Sequence, residues 1–165
     1  RGEYKNTRKY ILKGTGYKRL PAELREKIEN DVYVRINYKD IHKKYPKAYK
    51  KEGYYKEYDI YIPEIEKSVE VKQDYKSKYT GNLVVELTFN GKPSALLTTK
   101  ADYWVFALHD KYIWTSPERI KTSIGNYGKD PARFKGKGDD KYKLAWLIPL
   151  HFIEEQALLI QDIEP

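Results

Sequence analysis

The residues best suited to chemistry are Asp59 and the triplet Glu70-Val71-Lys72. Side chains alternate faces along a strand, so Glu70 and Lys72 project together while Val71 points into the core. Asp59 lies in a neighbouring strand-like segment, with ten residues between it and the triplet. Pro63-Glu64-Ile65-Glu66-Lys67, in between, has the length of a hairpin connection, so Asp59 and Glu70 are expected to meet across a strand pair. Two carboxylates at a sheet edge make a hard oxygen site suited to Mg²⁺, with Mn²⁺ expected to substitute. A lysine beside them can hold or polarise an attacking water and offset charge on a pentavalent phosphorus. Two acids and a lysine are a workable kit for phosphodiester hydrolysis.

An acid-x-lysine triplet says little by itself in so charged a chain. It occurs at Glu3–Lys5, Glu70–Lys72, Asp74–Lys76 and Asp139–Lys141, and only Glu70–Lys72 sits in an alternating, β-rich run with an acid on the preceding strand. Residues 57–62, 68–73 and 82–89 read as strands, and Asn90-Gly91 is the strongest turn signal, although Pro93 weakens a tight hairpin there. Residues 103–109 and 112–114 read as two further strands, the first buried on both faces. Upstream, residues 21–30 read as a short helix, Val32, Val34, Ile36 and Tyr38 alternate as a strand, and a helix from Asp40 is interrupted by Pro46. Downstream, Ser116-Pro117 opens a helix that Gly125 stops. Residues 125–141, with four of the ten glycines, read as a mobile basic loop, residues 142–148 as a strand and 151–160 as a final helix. The expectation is one α/β domain over residues 1–165, a sheet flanked by helices: a basic part at 1–56, a catalytic core at 57–115 and the loop at 125–141.

With Asp59 and Glu70-Val71-Lys72 in this setting, the chain resembles the PD-(D/E)XK nuclease superfamily, in particular small phage- and archaeal-type members akin to Holliday-junction resolvases and restriction endonucleases. The resemblance runs through Gly81-Asn82-Leu83-Val84-Val85-Glu86 and residues 98–104 (TTKADYW), with a looser echo at 139–149. Tyr58 stands where the superfamily's name has Pro. The resemblance implies a restriction-endonuclease-like core with a central mixed sheet, one or two Mg²⁺ ions, and cleavage of DNA. It assigns Asp59, Glu70 and the Val71 carbonyl as metal ligands and sets Lys72 beside the scissile phosphate. An upstream helical acid, Glu29 or Glu26, would add a ligand. Many members act as symmetric dimers, so a homodimer is a further expectation.

Charge points the same way. Lys and Arg number 32 against 24 Asp and Glu, and the surplus is segregated: residues 1–58 carry 17 basic and 8 acidic side chains, residues 59–165 carry 15 and 16. Tyrosines interleave with the basic residues, as suits a polyanion whose phosphates meet cations and whose bases meet rings. Lys76, Lys78, Lys100, Arg133, Lys135 and Lys137 are candidate phosphate contacts. Nothing in these patterns separates DNA from RNA. Cysteine is absent, which excludes disulfides, thiolate metal sites and cysteine nucleophiles. His42, His109 and His151 have neither zinc-ligand spacing nor a serine–acid partner pattern. The glycines near 136–138 lack the phosphate-loop pattern. The longest mainly apolar run, 144–150, is too short to span a bilayer, and no secretion pattern is seen, so a cytoplasmic protein is expected.

The rival reading is a non-catalytic, nuclease-like nucleic-acid-binding module; a weaker one is an assembly protein with acidic partners. Glu86 reads best as a solvent-side residue, with a metal-site carboxylate as its functional alternative. Gln73 and the tryptophans read as structural, and Asp74 would join the Glu70–Lys72 face if its strand continued.

Overall fold

Two β-sheets share the apolar interior of the computed structural model, which describes residues 37–51, 58–74, 76–135 and 141–163. The larger runs in the order β1 (Tyr49–Lys50), β2 (Ile60–Ile62), β3 (Lys67–Gln73), β6 (Tyr103–Ala107), β7 (Lys111–Thr115) and β10 (Leu159–Asp162). β3 and β6 are parallel and the other pairs antiparallel, so the sheet is mixed. A parallel pair needs a long crossover. Here it contains α2 (Ser77–Thr80), β4 (Asn82–Phe89) and β5 (Lys92–Pro93). β4 then pairs with β9 (Lys143–Pro149) in a smaller sheet ordered β5-β4-β9-β8, with β8 at Ala132–Phe134.

β6 is central because both of its faces are apolar. Trp104 and Phe106 pack with Leu83, Val85 and Ile148 of the smaller sheet. Ile120 of α3 (Pro117–Tyr127) and Ile153 of α4 (Leu150–Glu155) close that layer. Val105 and Ala107 point the other way, toward Val69, Val71, Ile60 and Ile41, the last on α1 (residues 37–44). Full burial of such side chains stabilises by roughly 1.5–3 kcal/mol each. Asp102 fixes the start of the parallel pair: its carboxylate accepts from the Ser68 N–H (2.9 Å) and hydroxyl (3.2 Å), and its own N–H donates to the Ser68 carbonyl (3.1 Å).

The strand readings at 68–73, 82–89, 103–109, 112–114 and 142–148 hold to within two residues at either end. Asn90 and Gly91 both take positive φ (52° and 75°) and join β4 to β5 with Phe89 opposite Lys92, a two-residue turn whose twist suits a hairpin. Pro93 is tolerated because β5 is an edge strand.

Four readings need correction. Tyr38 belongs to a helix over 37–44 that ends ahead of Pro46, while Val32, Val34 and Ile36 lie outside the described residues, as does the helix read at 21–30. Ser116 caps α3, accepting from the Arg119 N–H at 3.3 Å, but the helix passes Gly125 and stops at Gly128 (φ 69°). Gly125 has an ordinary helical environment, whereas Gly128 supplies the left-handed residue that ends a helix. Residues 125–141 are therefore not one mobile loop: they finish α3 and form β8, with 136–140 outside the described residues. The final helix ends at Glu155, and Leu159–Asp162 pair with the otherwise open edge of β7, because a short apolar run serves a strand as readily as a helix. The larger sheet is thus covered on one face chiefly by a second sheet, with α3 and α4 beside it, rather than by helices alone.

Candidate active site

Antiparallel pairing of β2 with β3 sets Ile60 opposite Val69, and Asp59, just ahead of β2, brings its carboxylate within hydrogen-bonding reach of the Glu70 side chain. The Asp59 N–H donates to the Val69 carbonyl at 2.9 Å, and its own carbonyl accepts from the Lys51 N–H at 2.8 Å. Asp59 is therefore held on both sides just where β2 begins. Its carboxylate turns back to accept from the Val71 N–H at 2.8 Å. A strand residue's N–H and C=O leave on the same side, so the Val71 carbonyl also faces the Asp59 edge. Val71 itself is buried in the core, as its alternation predicts.

Glu70 and Lys72 share the opposite face of β3. The Lys72 ammonium stands 3.5 Å from a Glu70 carboxylate oxygen, with side chains 38% and 13% exposed. It also lies 5.6 Å from the centre of the Trp104 ring, a cation–π distance. Trp104 is fixed by its indole N–H, which donates to the Thr99 hydroxyl at 3.0 Å. The residue read from sequence as plain core therefore also positions the lysine. Its signal was the TTKADYW stretch, where Thr99 anchors Trp104 and Asp102 anchors β3.

The electrostatics are those of an under-neutralised acid pair. Burial raises the pKa of Glu70 to about 7; Lys72 pulls it down and Asp59 pushes it further up. Burial likewise raises Asp59, against the opposing pull of the Val71 N–H and Lys72. Burial disfavours the Lys72 charge, but Glu70, Asp59 and Glu86 more than offset this and its pKa is raised. Lys72 is thus a fixed cation at neutral pH. Glu86 comes close enough to act on it while accepting from the Ser94 hydroxyl at 2.6 Å and meeting Lys143 at 3.8 Å.

The other singled-out residues fall in different places. Lys76 and Lys78 are exposed at α2, just beyond the Lys72 end of β3. Lys100 is exposed between Thr99, which bonds Trp104, and Asp102, which bonds Ser68 near the start of β3. Arg133 and Lys135 flank Tyr142 at the smaller sheet. Glu26, Glu29 and Lys137 lie outside the described residues.

Asp74 does not join the active face, because β3 ends at Gln73. Its carboxylate brackets the chain instead, accepting from the Ser77 N–H (3.0 Å) and the Val84 N–H (3.1 Å), and burial raises its pKa despite those bonds. Asp74→Ala leaves both donors without this acceptor and is expected to destabilise by about 1–3 kcal/mol, lowering the urea midpoint with an unchanged slope.

Compared with known proteins, the chain matches no family model, no curated sequence and no solved structure. The site stands on its own geometry. Among the described residues, no three metal-ligating side chains form a cluster. The acid pair is nonetheless chemically suited to a divalent cation: two convergent carboxylates, both with raised pKa, beside a carbonyl facing the same edge. No helix among the described residues is long and apolar enough to cross a membrane.

Proposed function

We propose that this chain is a metal-dependent deoxyribonuclease that hydrolyses phosphodiester bonds with a PD-(D/E)XK-type site on a restriction-endonuclease-like core. The observation carrying this reading is the meeting of the Asp59 and Glu70 carboxylates, with Lys72 on the same face of β3 as Glu70 and 3.5 Å from it. A purely structural sheet gains nothing from opposing two acids with raised pKa, whereas a catalytic site uses such arrangements. Asp59, Glu70 and the Val71 carbonyl would hold Mg²⁺, or Mn²⁺ in its place. A bound ion of this kind supplies Lewis acidity and a more acidic water. Lys72 holds its proton, and so its charge, where negative charge builds on the phosphate. Asp59 keeps Val71 in place through the backbone bond, and Trp104 holds Lys72 from the other side.

The basic surplus of residues 1–58 supports DNA as the partner, with Lys76 and Lys78 available beyond Lys72 to meet the backbone. Work on cellular or invading DNA fits a cytoplasmic protein, and a homodimer would place two sites on two strands. The test is cleavage of labelled duplex, single-stranded and four-way-junction DNA with Mg²⁺, Mn²⁺ or EDTA. Cutting of at least one substrate with metal and none in EDTA is expected. Salt-sensitive binding without cutting on any substrate would leave the non-catalytic module instead.

A further inference from the structure

A cavity of about 320 Å³ opens at the hairpin end of the smaller sheet, lined among others by Asn90, Gly91, Arg133, Lys141, Tyr142 and Lys143. The Asn90 N–H donates to the Tyr142 carbonyl at 2.8 Å, so the hairpin turn and Tyr142 form one wall unit. Tyr142 is 49% exposed, and the Arg133 guanidinium stacks 4.5 Å from its ring centre with the Lys135 ammonium at 5.9 Å. Lys143 reaches from this lining to Glu86, which also acts on Lys72. A groove combining an exposed ring, a planar guanidinium and further cations is not used by the acid–acid–lysine chemistry.

We infer that this groove takes an unpaired nucleic-acid strand, with a base stacked on the Arg133–Tyr142 platform and flanking phosphates on Lys141 and Lys135. Every base has a π-face that can stack on an aromatic or guanidinium plane, but in a duplex those faces are already occupied by neighbouring bases. The volume lies at the small end of ligand-sized cavities (~300–1,000 Å³), enough for a nucleotide. As a statement about substrate, this rests on the nuclease reading and specifies it: DNA with a single-stranded stretch beside the cut, such as a flap, fork or gap.

The experiment measures binding by fluorescence anisotropy in EDTA, using the full chain, a short labelled oligothymidine and a blunt duplex. Tyr142→Ala is expected to weaken the oligothymidine about tenfold and the duplex less than about twofold, with Tyr142→Phe restoring the loss. Lys141→Ala is expected to lower the salt slope on the oligothymidine by about 0.7. Tyr142 is half-exposed, so the variant keeps its fold, checked by an unchanged melting temperature. Equal loss on both probes, or loss on neither, overturns the groove. Cleavage assays run beside it separate the two readings. Metal-dependent cutting with no effect of Tyr142→Ala on oligothymidine binding removes only the groove. Selective loss of oligothymidine binding in a protein that never cuts keeps the groove and removes the nuclease.

Discussion

Lys72→Ala is expected to lower metal-dependent DNA cleavage at least about a hundredfold while leaving DNA binding within about twofold. The loss follows from the position of the charge. Burial disfavours the ammonium, yet Glu70, Asp59 and Glu86 together keep its pKa above the ordinary lysine value. The site therefore keeps a positive charge in place before any substrate arrives, and one preorganised electrostatic contact of this kind is worth ~10²–10³ in rate. Binding is spared because one partly exposed lysine is a small part of a surplus concentrated in residues 1–58. Lys72→Arg is a sharper probe. Its guanidinium carries the same charge spread over a planar fork, so it does not set a compact ammonium at the same point beside Glu70 and the Trp104 ring. It is expected to bind DNA normally and to recover only part of the rate. Single-turnover cleavage with saturating enzyme separates the two effects.

Glu70→Gln is expected to abolish cleavage and at the same time stabilise the metal-free protein. The Glu70 pKa is raised from 4.5 to about 7, chiefly by burial, so folding disfavours its ionised form even with Lys72 beside it. A raised folded pKa means a contribution that is fully present below pH 4.5 and is lost as pH rises to about 7. Asp59 shifts in the same direction from its ordinary 3.8 and adds to the trend. Lys72 stays charged throughout this window and adds no slope there. Stability in EDTA should therefore fall between about pH 4 and pH 7 on account of this pair. Glutamine mimics the protonated acid and removes the cost, giving about 3 kcal/mol at pH 8. Urea denaturation in EDTA at pH 5 and pH 8 checks this. The variant should exceed wild type clearly at pH 8 and little at pH 5. Equal stability at both values would mean that the acid pair is not under strain.

Much of the site was legible because strand alternation is a local rule. Glu70, Val71 and Lys72 declare their faces by position, and the short spacing to Asp59 left little besides a hairpin-like pairing. The contributions of Trp104, Thr99 and Asp102 were not legible as such. They depend on the parallel pairing of β3 with β6, a contact across more than thirty residues that no local pattern specifies. The second sheet was hidden for a similar reason. β4 and β9 were each read as strands, but that they pair with each other rather than with the central sheet is a tertiary fact. At the C-terminus, Leu158-Leu159-Ile160 fit helix and strand equally well, and the open edge of β7 decided the outcome. The helix expected to stop at Gly125 runs on to Gly128, because only the chain's path shows which glycine takes positive φ.

The most direct test of the Asp59–Glu70–Lys72 assignment is single-turnover cleavage of labelled DNA by wild type and Asp59→Asn across a Mg²⁺ titration, with EDTA as the zero point. Asparagine keeps an acceptor oxygen for the Val71 N–H, so the local fold is preserved while the charge is removed. Wild-type cutting that rises with Mg²⁺ and is absent in EDTA, together with loss in Asp59→Asn at all Mg²⁺ concentrations, is the expected result. Cutting in which Asp59→Asn matches wild type would place the chemistry elsewhere in the chain.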